Sequence, residues 1–166
     1  GKVRGDAKPK IEQNLNSVIT VDGQFGYAPL SLKKGLPVLA NAAKKHGIAV
    51  MRLVNSFHFA ALWPETEFLA ENGLAGLACT VYKPSVAPAG GTQPLFGTNP
   101  ISFAWPRKNQ TPLVFDMATS TLAMGDVQIA ARDGHIVPAG TGLGPDGKPS
   151  DDPSQILKGV LLPFGG

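Results

Sequence analysis

A chain of 166 residues, 43% hydrophobic and 16% charged, can bury one sizeable core, and its 20 glycines and 15 prolines exclude a coiled coil. Fifteen Lys and Arg against twelve Asp and Glu leave a charge of only +3, spread as the pairs Lys33-Lys34, Lys44-Lys45 and Arg107-Lys108 without interleaved aromatics, so no nucleic-acid-binding stripe is expected. No apolar run reaches the roughly 18 residues of a membrane span, the opening GKVRGDAKPK is too polar for a signal peptide, and a single cysteine, Cys79, excludes an internal disulfide framework; the chain reads as cytoplasmic, with no membrane partner.

Residues 1–16 are polar and lack a hydrophobic period, so they read as a connecting segment. The stretch 17–22, SVITVD, alternates β-branched and polar residues and predicts a strand ended by Gly23. Over 31–46, Leu32, Leu36, Leu39 and Ala43 recur at helical spacing, with Gly47 placed as the stop and Gly35 and Pro37 weakening the start. A buried strand is expected over 48–54, and a second helix over 59–72 with Pro64 in its first turn and Gly73 closing it. The apolar run 74–82 reads as strand.

The stretch 83–100 holds four prolines and three glycines, and a loop of that length is expected to be functional or disordered. The segments 101–105 and 113–115 flank a turn and predict a hairpin; 119–132 predicts a third helix stopped by Gly134; and Asp152-Pro153 opens a short fourth one, with Asp as N-cap and Pro at the first helical position. Strands and helices alternate and then give way to a hairpin, so a mixed α/β, or α+β, layer fold is favoured over a purely parallel one. Both ends of the chain read as cut.

Several constellations carry chemistry. In Asn55-Ser56-Phe57-His58-Phe59-Ala60-Ala61-Leu62 a strand gives way to a helix, whose free amides suit an anion such as a pyrophosphate while the alanines admit a ligand close to the backbone. Alternatively, Asn55 or Ser56 simply caps the helix and His58 is a partly buried aromatic. Asp116-Met117-Ala118 ends a strand ahead of a helix and reads either as a cofactor contact or as an ordinary cap. Gly97-Thr98-Asn99 offers a hydroxyl and an amide to a carboxylate. The helix around Asp126 reads as apolar almost all round, which would bury that carboxylate beside Leu122 and Ile129; a buried carboxylate needs either a histidine to orient or the backbone amides of a loop. Gly140-Thr141-Gly142-Leu143-Gly144 lacks the strand-then-helix setting of a dinucleotide loop, and the Pro145-Asp146-Gly147 that follows it makes a surface turn. His46, His58 and His135 have no ligand spacing, so no metal site is expected.

The stretches VDGQFGYAPLSL, NSFHFAAL, PAGG, GTNPISFAWP, VFDMATS, the MGDV helix and LLPFGG together resemble the malate/L-lactate dehydrogenase-type family of NAD(P)-dependent oxidoreductases, which is unrelated to the Rossmann lactate dehydrogenases. Within it, HFAALWPE and MGDVQIAARDG look most like the Δ1-piperideine-2-carboxylate/Δ1-pyrroline-2-carboxylate reductases. The resemblance implies a homodimer with a central, predominantly antiparallel sheet flanked by helices, and makes residues 17–166 a central NAD(P)-binding domain. It implies NADPH, with NADH as the other nicotinamide form, as the hydride source for reducing cyclic imino acids to L-pipecolate and L-proline. His58, Phe59, Ala60, Ala61 and Leu62, with Asp116, Met117 and Ala118, would contact the cofactor, Thr98 the substrate, and Asp126 would be the acid of a Ser-His-Asp relay. That relay's serine and histidine belong to a Ser-His-Gly segment expected ahead of Gly1, a lysine-containing glycine motif is expected beyond Gly166, and Phe57 replaces a frequent histidine; the piece alone is expected to be inactive. The alternatives are a 2-hydroxy-acid dehydrogenase of the malate, lactate or ureidoglycolate type, and a non-catalytic nucleotide-binding or dimerisation module.

Overall fold

The computed structural model describes residues 2–58 and 60–165, with the backbone alone at Gln13 and Asn14. The chain divides into two compact units, each built from two segments: Gly1–Ala78 with Ser102–Phe115, and Cys79–Ile101 with Asp116–Gly166.

In the first unit, β1 (Lys10–Leu15), β2 (Val18–Tyr27) and β3 (Val50–Phe57) form a sheet with β2 in the middle. β1 pairs with β2 antiparallel, whereas β2 and β3 run parallel, Val21 opposite Leu53. The connecting α1 (Ala28–His46) lays Ala42, Val38 and Leu39 over Ile19 and Val21, which are wholly buried. Pro29 suits the first turn of α1, and Gly47 ends it at φ 83 with its amide donating to the Ala43 carbonyl. Gly35 lets helix and sheet touch, since a Cβ there would lie 2.5 Å from Met51 Sδ and 2.8 Å from Val21 Cγ2.

Four expectations for this region need correction. The segment 1–16 is not all connection, because β1 is an edge strand held by main-chain bonds; Ile11 and Leu15 are exposed, so no apolar alternation marks it. β2 runs past Gly23 to Tyr27 through an irregularity between Asp22 and Gly26, where Gln24 and Phe25 adopt φ of 51° and 62°. β3 continues to Phe57, and α2 (Trp63–Glu71) starts four residues later than the pattern suggested, with Leu62 at the cap position and Pro64 in the first turn.

A second sheet has the order β4 (Gly76–Cys79), β5 (Ile101–Arg107), β6 (Gln110–Met117); β5 and β6 form the expected hairpin, closed by Lys108 and by Asn109 at φ 57. β4 is shorter than the run 74–82.

In the second unit, β8 (Pro149–Ser150), β7 (Gly142–Leu143) and β9 (Val160–Leu161) make a small antiparallel sheet beside α3 (Met124–Asp133) and α4 (Pro153–Ile156). Asp152 caps α4 as expected, accepting from the Ser154 amide at 2.8 Å. Val86, Val127, Val137, Ile156 and Leu161 form the core. The proline-rich stretch 83–100 is ordered into it: Ser85 and Val86 donate to the Phe96 carbonyl at 2.7 and 2.8 Å, and Ala87 donates to Leu161. The glycines near 140 lead into the expected surface turn, and Gly140 itself is exposed at φ 83. Thr141, Gly142, Leu143 and Gly144 are buried, and a Cβ on Gly142 would lie 2.6 Å from the Val160 carbonyl; the turn itself is Pro145-Asp146-Gly147. The class is thus the expected mixed α/β one, and the strands of the described residues fall in three three-stranded sheets.

Candidate functional site

In the first unit, the segment His58 to Leu62 links β3 to α2. His58 is exposed, stands at φ 63 and sets its ring edge-on to Tyr27, centroids 6.1 Å apart. Ala60 is exposed, Ala61 half-buried and Leu62 buried; Phe59 lies outside the described residues. Because Asn55 and Ser56 belong to β3, neither caps a helix, and α2 starts at Trp63 with no side-chain cap. Asn55 to Phe57 therefore offer no helix-start amides to an anion. Ala60 and Ala61 project only methyl groups from this stretch of backbone.

What directs this segment is Asp22, at the break in β2. Its carboxylate accepts from the Gln24 amide (2.9 Å), Gln24 Nε2 (2.6 Å) and Asn55 Nδ2 (3.1 Å). Asn55 sits at φ 48, a backbone state in which a short amide side chain is tolerated, three residues ahead of His58. Gly23 leaves room for this turn, since a Cβ there would collide with Ser56 Oγ and lie 2.9 Å from the Asn55 carbonyl. The Gln24 amide foremost, then the Asn55 side chain, hold the Asp22 carboxyl below its usual range. A lowered folded-state value means that its contribution is complete above the ordinary carboxylate pKa and is lost as pH falls through the lower one. The Gln24 amide resonance is therefore expected to titrate only below the ordinary carboxylate range, and Asp22→Asn abolishes that titration; a Gln24 amide that titrates identically in D22N contradicts the bond.

The second unit brings Thr98 beside Asp116-Met117-Ala118. The Thr98 carbonyl accepts from the Thr119 amide at 2.8 Å and from its hydroxyl at 3.2 Å, and that hydroxyl is also 3.1 Å from the Asn99 carbonyl. Thr98 is buried, and Asp116, Met117 and Ala118 are half-buried at the end of β6. Asn99, at φ 31, accepts from the Tyr82 amide through Oδ1.

The third helix does not begin at Thr119. Thr121 donates to Leu162 through its amide and to Thr141 through its hydroxyl (2.8 Å), and Phe164 donates to Thr119, so 119–123 is a bent, non-helical segment and α3 starts at Met124. The expected burial of Asp126 is likewise overturned. Val127 is the one buried residue of α3, Ile129 is 50% exposed, and Asp126 is exposed in the first turn. A carboxylate there faces the positive helix end in water and needs no buried partner. Among the described residues, no three His, Cys, Asp or Glu side chains group as a metal site, and no helix is long and apolar enough to cross a membrane.

Sequence reasoning passed over Asp22, Thr66 and Ser102. The signal for the first was the Asp-Gly pair after a β-branched run; for the others, it was a hydroxyl spaced to share the buried face of its element, Thr66 with Leu69 and Ala70, Ser102 with Ala104.

The chain belongs to the malate/L-lactate dehydrogenase family, whose pattern matches residues 1–166. Within it, the chain is 46% identical over 166 residues to Δ1-pyrroline-2-carboxylate reductase 1 of Burkholderia ambifaria, covering all of this chain and 49% of that protein. It is 48% identical over 167 residues to the Δ1-pyrroline-2-carboxylate/Δ1-piperideine-2-carboxylate reductase of Pseudomonas putida, again with 49% of the relative covered. Among solved structures, Δ1-piperideine-2-carboxylate reductase from Pseudomonas syringae pv. tomato is similar over 99% of this chain and 50% of its own, at TM-score 0.93 and 46% identity. Malate dehydrogenase from Entamoeba histolytica is similar at TM-score 0.91 and 30% identity, over 99% of this chain and 47% of its own. The chain spans about half the length of the curated relatives it matches.

Proposed function

We propose that the full-length protein reduces cyclic imino acids, Δ1-piperideine-2-carboxylate to L-pipecolate and Δ1-pyrroline-2-carboxylate to L-proline, with NADPH as the preferred cofactor. The observation that carries this is the contrast in identity, 48% to an imino-acid reductase against 30% to a malate dehydrogenase that is itself structurally similar at TM-score 0.91. The nicotinamide, when bound, supplies the hydride. His58, Ala60, Ala61 and Leu62, with Asp116, Met117 and Ala118, contact that cofactor; the methyl groups of Ala60 and Ala61 suit a flat ring. Thr98, anchored through Thr119, holds the substrate carboxylate. Asp126 orients a histidine from outside the described residues, which gives the imine nitrogen its proton. Burial no longer supports that role for Asp126, so it rests on the family resemblance. The full-length protein acts as a homodimer in the cytoplasm.

Steady-state oxidation of NADPH and of NADH by the full-length protein, with each imine and with pyruvate and oxaloacetate, tests the reading. The expected result is imine-dependent oxidation with the higher kcat/KM for NADPH. Oxidation with the 2-oxo acids alone would establish the 2-hydroxy-acid dehydrogenase instead, and cofactor binding without turnover a non-catalytic module.

A further inference from the structure

Two buried hydroxyls in the first unit join points that border both proposed cofactor segments. Thr66, on α2, and Ser102, on β5, are both wholly buried, with their oxygens 2.7 Å apart. Ser102 Oγ donates to the Phe115 carbonyl at 2.8 Å, which uses its one proton, so at Thr66 it acts as acceptor. Thr66 then has one proton for two acceptors, Ser102 Oγ and the Trp63 carbonyl 3.1 Å away, and shares it between them in a three-centre bond. The chain of bonds thus runs from Trp63, the residue directly after Leu62, to Phe115, the residue directly before Asp116. Thr66 has little freedom to shift, because a Cβ on Gly76 of β4 would lie 3.0 Å from its carbonyl and 3.1 Å from its Cα.

The position asks for no polarity in itself. Valine and alanine have the shapes of threonine and serine here, and a buried hydroxyl costs stability unless it is bonded. What hydroxyls add is direction: they fix length and angle where apolar contacts permit sliding.

We propose that the Thr66–Ser102 pair is a positioning device for the nicotinamide cofactor, fixing Trp63 and Phe115, the points from which segments 58–62 and 116–118 depart. This rests on the assignment of those segments to the cofactor. Neither residue touches the cofactor itself.

The test uses the full-length protein and its variants Thr66→Val, Ser102→Ala and Thr66→Ser, with the NADPH Kd read from nicotinamide fluorescence and the imine KM measured at saturating NADPH. Thr66→Val and Ser102→Ala are each expected to raise the NADPH Kd about tenfold, the upper range for one lost buried hydrogen bond, with the imine KM within about twofold. Thr66→Ser, which keeps the hydroxyl, restores the wild-type Kd. An unchanged Kd in both variants, an equal rise of Kd and imine KM, or loss of folding in both overturns the proposal. A wild-type protein that binds no NADPH overturns instead the cofactor assignment beneath it.

Discussion

Asp126→Asn in the full-length protein is expected to lower kcat by about 10²–10⁴-fold, the range for losing the function of a positioned general acid–base system, while the thermal midpoint hardly moves. The two halves of this expectation come from different observations. Asp126 is exposed in the first turn of α3, the helix end that favours a negative charge, and neutralising it there removes about 0.3–1 kcal/mol of helix stabilisation. Its proposed work is to hold one tautomer of the proton-donating histidine, and an amide can present that ring with a donor in place of the acceptor it needs. Turnover measured beside thermal unfolding separates the roles: a kcat within about threefold of wild type removes Asp126 from the relay.

Gly97→Ala has the second large effect, on stability and substrate binding together. A Cβ at Gly97 would collide with the Tyr82 carbonyl oxygen and come within 2.6 Å of both the Tyr82 carbonyl carbon and Asn99 Oδ1. The last of these atoms accepts from the Tyr82 amide, so the bond that seats this turn is itself in the way. Those partners are mostly backbone and cannot swing aside, and forcing a methyl group into such a site costs about 1–3 kcal/mol. Thr98 is the next residue, held by its carbonyl to Thr119, so relief of the clash displaces the substrate contact. The imine KM is expected to rise while the NADPH Kd, which depends on other segments, changes less. Chemical denaturation with substrate titration checks both; a Gly97→Ala protein as stable as wild type would show that the turn yields.

The mixed α/β class, the hairpin of β5 and β6, and the caps Gly47, Gly134 and Asp152 were legible because each depends on residues a few positions apart. The misread parts depend on distant backbone. β1 is recruited by pairing with β2, with its apolar side chains turned to solvent. Thr119 to Ala123 have residues a helix accepts, yet their main-chain groups bond to Thr98, Leu162 and Phe164, and helix propensity loses to those bonds. Asp126 was misjudged for a related reason: its neighbours looked apolar in sequence, but α3 rests on the core through Val127 with Met124 and Ala130 beside it, leaving Ile129 outside. Of the site, His58, Ala60, Ala61, Leu62, Thr98 and Asp116 to Ala118 were picked out as motifs. The Asp22–Asn55 clamp and the Thr66–Ser102 pair were not, since each joins residues more than thirty positions apart.

Hydrogen–deuterium exchange of the full-length protein with and without NADPH tests the central claim most directly. Slower exchange in peptides covering residues 58–62 and 116–118, with the glycine-rich residues 140–144 unchanged on cofactor addition, is the expected result. Protection that appears at 140–144 while both proposed segments exchange as before would contradict the account.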